Sequence, residues 1–188
     1  MPNNTIDKHQ FTITEVNKMY QHEILPPDER IELVDGELHV MSPKNPPHFI
    51  THRNLFNFFF KRLAESKYLI DREIPLNISS TSMPEPDLII AHQRVGLQID
   101  EYVQVPDLVL LAEVSDTTVD YDLGRKKEIY AQAGIPIYWV IDIPHNQVHI
   151  FINLYQSDYG TTVSYKKGPI QALPFEFTIS FDDIFPKV

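Results

Sequence analysis

Residues 108–142 constrain the fold more than any other part of the chain. An apolar run over 108–112 ends at Glu113, and a second apolar run covers 137–141. Between them, the spacing predicts a helix over roughly 120–133. A strand, a helix of this length and a second strand form a βαβ unit, so we expect two parallel strands joined by a right-handed crossover.

The segment before this unit begins with a short helix and a hairpin. A helix is predicted over roughly 14–22, followed by alternating residues over 30–41. Asp35-Gly36 interrupts that alternation, and this dipeptide is typical of a tight hairpin turn because both of its residues tolerate positive φ. The sequence therefore predicts an N-terminal β-hairpin.

A longer helix is predicted over roughly 47–65, beginning at a pair of prolines. Its spacing indicates one broad aromatic face directed at a sheet. The residues at that spacing are Phe49, His52, Phe56, Phe59, Phe60 and Leu63. Residues 67–78 then alternate sufficiently to predict a strand.

The C-terminal part is predicted to add antiparallel strands. Residues 148–154 alternate as a half-exposed strand, and Asp158-Tyr159-Gly160 is expected to turn the chain into a partner strand over 161–165. We therefore expect an α/β (α+β) fold, with a mixed central sheet flanked by helices, an N-terminal hairpin and C-terminal antiparallel strands.

Composition sets limits on the class of protein. A chain of 188 residues is expected to form a single domain over 1–188, with residues 1–10 frayed. It has no cysteine, which excludes disulfides and thiolate metal sites. No segment approaches the roughly 20 apolar residues of a membrane span, so a cytoplasmic protein without membrane contact is expected. The net charge of −10 argues mildly against broad nucleic-acid binding, although a local cleft or a divalent cation can reverse the sign.

Two carboxylates are expected to meet at one edge of the sheet. Asp87 begins the short apolar strand 88–91, whereas Glu113 ends its strand. If these strands are antiparallel neighbours, the carboxylates converge and favour a cation between them, as in a magnesium site. The alternative is that each carboxylate caps a strand or pairs with Arg or Lys.

A lysine on the crossover helix is expected to reach the same point. A nuclease site of the acid-x-lysine type would place lysine at Ser115, two residues after Glu113 on the same strand face. Lys126 and Tyr130 instead share a helix face near the end of that strand, with Asp122 one turn earlier. The alternative is a solvated charged face that has no role in a site.

Several separated motifs closely resemble the Uma-two family of endonucleases, over roughly residues 12–185. They are Ile31-Glu32-Leu33-Val34-Asp35-Gly36-Glu37, Met41-Ser42-Pro43 followed by His48, Pro86-Asp87, Glu113-Val114-Ser115, Asp122-Leu123-Gly124-Arg125-Lys126, residues 130–136, and Tyr138-Trp139-Val140-Ile141-Asp142. The family is similar to the restriction-endonuclease-like PD-(D/E)xK superfamily. The resemblance therefore implies that fold and a metal-dependent nuclease activity.

The resemblance also implies roles for individual residues. Asp87 and Glu113 correspond to metal ligands, Lys126 to the lysine moved from strand to helix, and Glu32 to an early acid. His48 is implied to lie near the phosphate or the metal-bound water. Two departures concern Ser115, where the superfamily usually has lysine, and Ile137, where the family often has Glu.

The sequence therefore predicts a Mg²⁺-dependent DNA endonuclease, with Mn²⁺ able to substitute. The expected ligands are Asp87, Glu113 and the Val114 backbone carbonyl, with Glu32 holding a second metal or orienting a water. Lys126 would stabilise charge at the phosphate, with Tyr130 beside it. DNA is the expected partner, and a homodimer through the 148–165 hairpin is a further expectation. The absence of a glycine-rich phosphate loop argues against a nucleotide cofactor.

Two alternatives come from other classes of protein. One is a catalytically silent module that keeps the nuclease fold and binds nucleic acid or a protein. The other is a zinc hydrolase that uses His48 and His52, whose i, i+4 spacing on a helix also occurs among zinc ligands.

Overall fold

The computed structural model describes residues 8–93 and 103–185. The expected frayed segment 1–10 and the connection expected over 92–105 lie largely outside the described residues. The strands are β1 (Ile31–Val34), β2 (Glu37–Val40), β3 (Tyr68–Asp71), β4 (Leu88–His92), β5 (Leu108–Ser115), β6 (Tyr138–Asp142), β7 (Gln147–Tyr155), β8 (Asp158–Tyr165), β9 (Pro169–Gln171) and β10 (Thr178–Ser180). The helices are α1 (Ile13–Gln21), α2 (Pro46–Leu63), α3 (Val119–Tyr121), α4 (Lys127–Gln132) and α5 (Phe181–Ile184).

Six strands form the central sheet, in the spatial order β3-β4-β5-β6-β7-β8. Its neighbouring strands are antiparallel, except that β5 and β6 are parallel. The predicted βαβ unit is thus confirmed, because a crossover connects β5 to β6. Together with the β1–β2 hairpin and the antiparallel β9–β10 pair, this mixed sheet confirms the predicted fold class.

The crossover is not the single regular helix predicted over 120–133. It consists of α3, a π-helical turn over Asp122–Lys126 and α4. Gly124 lies within the wide turn, where a residue without a side chain imposes little steric restriction. Such turns inside helices are frequent at functional sites, and this one carries Lys126.

The two faces of the sheet pack against different elements. Helix α2 and the C-terminal segment cover one face, where Leu55, Phe59 and Trp139 are fully buried. Helix α4 covers the other face, where Tyr130 and Tyr138 are fully buried. Because strand side chains alternate between faces, Glu113 lies on the α4 side, with Leu111.

The predicted aromatic face of α2 is only partly correct. Phe59, Leu63 and His52 are buried as expected, but Phe49 is 54% exposed and Phe60 is 47% exposed. The buried positions that were not expected are His48, Thr51, Leu55 and Phe58. Aromatic residues occur all around this helix, so their spacing alone fitted more than one face.

Two other boundaries differ from the predictions. Strand β3 ends at Asp71 rather than at 78, and Glu73 adopts a positive φ of 54°, which is incompatible with an extended strand. Residues 158–160 belong to β8, so the hairpin turn precedes them, with Gln156 at a φ of 55°. This hairpin exposes Leu154 and Tyr155 near its turn, and the homodimer expected there stays a prediction.

The N-terminal hairpin has the predicted geometry and is hydrogen-bonded to the loop that leads to Asp87. Asp35 and Gly36 have φ values of 49° and 74°, as the turn requires. The Met83 N–H donates to the Leu33 carbonyl at 2.8 Å. The hairpin is therefore held close to the end of the central sheet.

Within the described parts of the chain, no helix is both long and apolar enough to cross a bilayer.

Candidate active site

Asp87 and Glu113 lie side by side, as the antiparallel arrangement predicts. Strands β4 and β5 pair with Leu88 opposite Ala112, so Asp87 and Glu113 occupy the next position along the ladder. The Asp87 N–H donates to Glu113 Oε2 at 3.4 Å. Both side chains are buried, which makes their proximity costly without compensating partners.

Glu113 receives two hydrogen bonds from the crossover. Lys126 Nζ, on the π-helical turn, lies 3.0 Å from Glu113 Oε1, and the Tyr130 hydroxyl donates to the same oxygen at 2.6 Å. Lys126 is only 4% exposed. The structure therefore places the predicted lysine and tyrosine on this carboxylate rather than on a solvated face.

Glu32 completes the arrangement from the N-terminal hairpin. Its Oε1 lies 3.1 Å from Lys126 Nζ and accepts a hydrogen bond from the Glu85 N–H at 2.9 Å. Lys126 thus bridges two buried carboxylates, Glu32 and Glu113. Three elements that are distant in sequence meet at one ammonium group.

Asp87 is held from its other side. Its Oδ2 accepts the Val114 N–H at 2.8 Å and lies 3.5 Å from His48 Nε2. Its Oδ1 contacts Lys44 Nζ at 2.6 Å. The ring of His52 donates through Nε2 to the Asp87 backbone carbonyl at 2.7 Å, which fixes the start of β4.

Asp122 forms a smaller cluster at the end of β5. Its Oδ2 accepts hydrogen bonds from the Ser115 and Thr118 hydroxyl groups, each at 2.7 Å. Its backbone carbonyl accepts a hydrogen bond from the Tyr138 hydroxyl at 3.0 Å. Ser115, which occupies the usual lysine position, therefore anchors the turn that carries Lys126.

These groups surround one cleft of about 440 Å³. Of the predicted site residues, Glu32, His48, Asp87, Glu113, Val114 and Lys126 line it, whereas Tyr130 lies behind Glu113. Sequence reasoning missed Lys44, which also lines the cleft. Its position beside the matched Met41-Ser42-Pro43 motif was the one available signal.

The site separates the pKa values of its two central carboxyl groups. Burial raises the pKa of Glu113 to about 8, with help from Asp87, Asp122 and Glu32, because Lys126 offsets only part of the effect. Burial also raises the pKa of Asp87, but His48 and Lys44 outweigh it and hold that pKa well below its usual range. Lys126 keeps its proton, since the surrounding carboxylates raise its pKa despite its burial.

The oxygen donors present fit a hard divalent cation. Asp87 and Glu113 supply carboxylate oxygens, and among the described residues Glu113 Oε2 receives only the long hydrogen bond from Asp87. A residue in a strand directs its N–H and its carbonyl to the same side, so the Val114 carbonyl lies on the side of Asp87. The Lys44 ammonium group lies 2.6 Å from Asp87 Oδ1 and supplies a positive counter-charge at that oxygen.

The geometry gives the zinc alternative no support. His48 and His52 have ring centroids 6.2 Å apart, and His52 Nε2 is engaged as a donor to a carbonyl. Across residues 8–93 and 103–185, the group of three or more His, Asp or Glu side chains that could hold a metal ion is His52, Glu73 and Asp87, which contains neither His48 nor Glu113.

A mixed central sheet flanked by helices on both faces is a restriction-endonuclease-like fold. The chain matches the family model of Uma2, described as "Putative restriction endonuclease", over residues 15–181. The protein belongs to the Uma2 family. The resemblance stated from the sequence motifs is thus confirmed.

A solved structure agrees with this fold. The chain is similar to a protein described as a "putative nuclease belonging to DUF820" from Anabaena variabilis ATCC 29413, with a TM-score of 0.70 and 14% sequence identity. The match covers 93% of this chain and 97% of that one. A search of curated proteins found no significant match.

Proposed function

We propose that this protein is a metal-dependent endodeoxyribonuclease that hydrolyses phosphodiester bonds. The observation that carries the proposal is the convergence of Asp87, Glu113 and Lys126 in one cleft, from β4, β5 and the π-helical turn. Membership of the Uma2 family, which is described as "Putative restriction endonuclease", supports a nuclease function. The choice of DNA as substrate rests on that membership and is part of the proposal.

Asp87, Glu113 and the Val114 carbonyl would hold Mg²⁺, or Mn²⁺ in its place, and Glu32 would hold a second ion or orient a water. Such an ion supplies Lewis-acid polarisation of the phosphate and a more acidic water molecule. Carboxylate and carbonyl oxygens are the donors that these hard cations prefer. The overall charge of −10 argues mildly against broad DNA binding, and divalent cations held at this cleft would reverse the sign locally.

The side chains around the ligands have separate tasks in this proposal. Lys126 stays charged and presents its ammonium group to the negative phosphate oxygens as charge develops in the transition state. Tyr130 fixes Glu113 Oε1, so that Oε2 is directed towards the cleft. His48 lies at 3.5 Å from Asp87 Oδ2, where it can donate a hydrogen bond to a phosphate oxygen or a water molecule.

The test is a cleavage assay on supercoiled plasmid, single-stranded DNA and branched DNA. Purified protein should nick or cut at least one substrate with Mg²⁺ or Mn²⁺, and excess EDTA should stop the reaction. Asp87→Asn and Glu113→Gln should each lower the rate at least about 100-fold. Asp158→Asn, which changes an exposed carboxylate outside the cleft, should cut normally. If the wild type cuts none of these substrates, the enzymatic assignment is wrong.

One observation favours a second candidate, a catalytically silent module that binds nucleic acid or a protein. Lys44 and Lys126 already compensate Asp87, Glu113 and Glu32 without any metal ion. Titration calorimetry with Mn²⁺ separates the candidates. A silent module that binds nucleic acid should bind DNA in EDTA, and its Mn²⁺ binding should not change on Asp87→Ala or Glu113→Ala. The nuclease should lose Mn²⁺ binding in both variants.

A further inference from the structure

Lys44 lines the cleft but is not part of the proposed set of metal ligands. Its Nζ lies 2.6 Å from Asp87 Oδ1 and also contacts a carboxylate oxygen of Glu73. The Lys44 side chain is 19% exposed, whereas Glu73 lies at the partly exposed rim. One ammonium group therefore joins a buried carboxylate of the site to an outer carboxylate.

The surroundings of this ammonium group are those of a cation position. Ligand atoms of Asp87, Glu73 and His52 lie within 4.8 Å of one another, and the Lys44 ammonium contacts two of these three residues. A buried carboxylate needs a counter-charge, and a lysine supplies it as a compact point charge on a flexible stem. Lys44 thus supplies the counter-charge of Asp87.

We propose that Lys44 is an internal cation that holds the site in its metal-free state and gives way when a divalent cation binds Asp87. This inference rests on the proposed metal-dependent function. A lysine that merely stabilised the fold would have no reason to compete with metal. Lys44 competes because its ammonium group lies 2.6 Å from Asp87 Oδ1, and both residues line the cleft.

The local structure allows this movement. Lys44 lies within residues 41–45, between β2 and α2, where the chain has no regular secondary structure. Glu73 gives the ammonium group a second partner at the rim, so Lys44 keeps an ion pair after leaving Asp87. The displacement therefore gives up only the contact with Asp87, whose charge the divalent cation then balances, and leaves no buried charge unpaired.

Calorimetric titration of Mn²⁺ into Lys44→Met tests the proposal. Removing the competing positive charge should tighten Mn²⁺ binding by about tenfold. Lys44→Arg, which keeps the charge, should bind Mn²⁺ like the wild type or more weakly. In EDTA, Lys44→Met should unfold at a lower temperature than the wild type because Asp87 loses its counter-charge, and excess Mn²⁺ should remove that difference.

Lys127→Met is the matched control. Lys127 has a similar exposure of 21% and pairs with Asp158 outside the cleft, 3.0 Å from its Oδ1. Its substitution should leave Mn²⁺ affinity unchanged. A general effect of removing one positive charge would instead tighten binding in both variants and would overturn the role given to Lys44.

The remaining outcomes separate this inference from the proposed function. If the wild type cuts DNA with Mn²⁺ but Lys44→Met binds Mn²⁺ no more tightly, the inference is wrong and the proposed function stands. If only Lys44→Met binds Mn²⁺, Lys44 is confirmed as the internal cation, and the metal-dependent activity of the wild type is refuted. If neither protein binds Mn²⁺, both proposals fail.

Discussion

Lys126 and Glu113 are in buried contact, with Nζ 3.0 Å from Oε1, between a π-helical turn and the central strand β5. The same ammonium group lies 3.1 Å from Glu32 Oε1. Lys126 is thus the common partner of two buried acids from separate parts of the chain. Lys126 therefore contributes to the stability of the fold, and it also supplies the positive charge that is proposed to stabilise the phosphate.

Lys126→Met is expected to destabilise the protein and to remove activity. Breaking a buried pair by deleting one partner typically costs about 3–5 kcal/mol, because the remaining carboxylates lose their counter-charge. The loss of transition-state stabilisation should lower the cleavage rate at least about 100-fold. Urea unfolding and plasmid nicking measure the two effects separately.

The control for Lys126 is Lys127→Met, one residue further along the chain. Lys127 pairs with the exposed Asp158, and surface pairs contribute at most about 1 kcal/mol. Its substitution should leave both the free energy of unfolding and the nicking rate near wild type. Equal effects in the two variants would contradict the special position of Lys126.

Tyr130→Phe tests the hydrogen bond that fixes Glu113. The substitution keeps the buried ring but removes the hydroxyl group that donates to Glu113 Oε1 at 2.6 Å. We expect a loss of about 1–3 kcal/mol in the free energy of unfolding, and a lower nicking rate because Glu113 becomes less well oriented.

Tyr159→Phe is the matched control for this measurement. Tyr159 is also buried, and its hydroxyl donates to the Ile135 carbonyl at 2.9 Å, away from the cleft. It should lower stability without a specific loss of activity. The role given to Tyr130 fails if the two variants reduce nicking by the same factor.

The central pair of the site could be predicted from the sequence because it depends on strand order and direction. Once β4 and β5 are antiparallel neighbours, an acid before one strand and an acid near the end of the other must meet. Helical spacing placed Lys126 within reach of the strand end but left a solvated face as the alternative, and the family resemblance then assigned it to the site. Strand direction and helical spacing are local rules that hold in most folds.

The rest of the site depends on tertiary packing that no local pattern records. Lys44 reaches Asp87 from an irregular segment, whose path is set by the hairpin and by α2 on either side. The π-helical turn depends on bonds between Asp122 and the hydroxyl groups of Ser115 and Thr118. A regular helix was the only expectation that residue spacing could support.

Ser115→Ala examines how the π-helical turn is anchored to β5. Ser115 is fully buried and supplies one of the two hydroxyl groups that Asp122 Oδ2 accepts. Removing it should cost about 1–3 kcal/mol in unfolding experiments and lower nicking through a less well-positioned Lys126. Ser164→Ala, which removes an exposed hydroxyl group on β8, should change stability by less than about 0.5 kcal/mol. If Ser115→Ala unfolds like Ser164→Ala, the anchor is unimportant.

The affinity for Mn²⁺ is expected to rise with pH because Glu113 must lose a proton to become a ligand. Burial raises the pKa of Glu113 to about 8, so we expect Glu113 to hold a proton at neutral pH until a metal ion binds. Below that pKa, metal and proton compete for the carboxylate, and affinity should increase up to about tenfold per pH unit before levelling above about pH 8.

Calorimetry in two buffers of different ionisation enthalpy should count close to one proton released near pH 7. Glu113→Gln, which has no proton to lose, should bind weakly and release fewer protons. A constant wild-type affinity between about pH 6 and about pH 8 would mean that Lys126 keeps Glu113 ionised before any metal arrives.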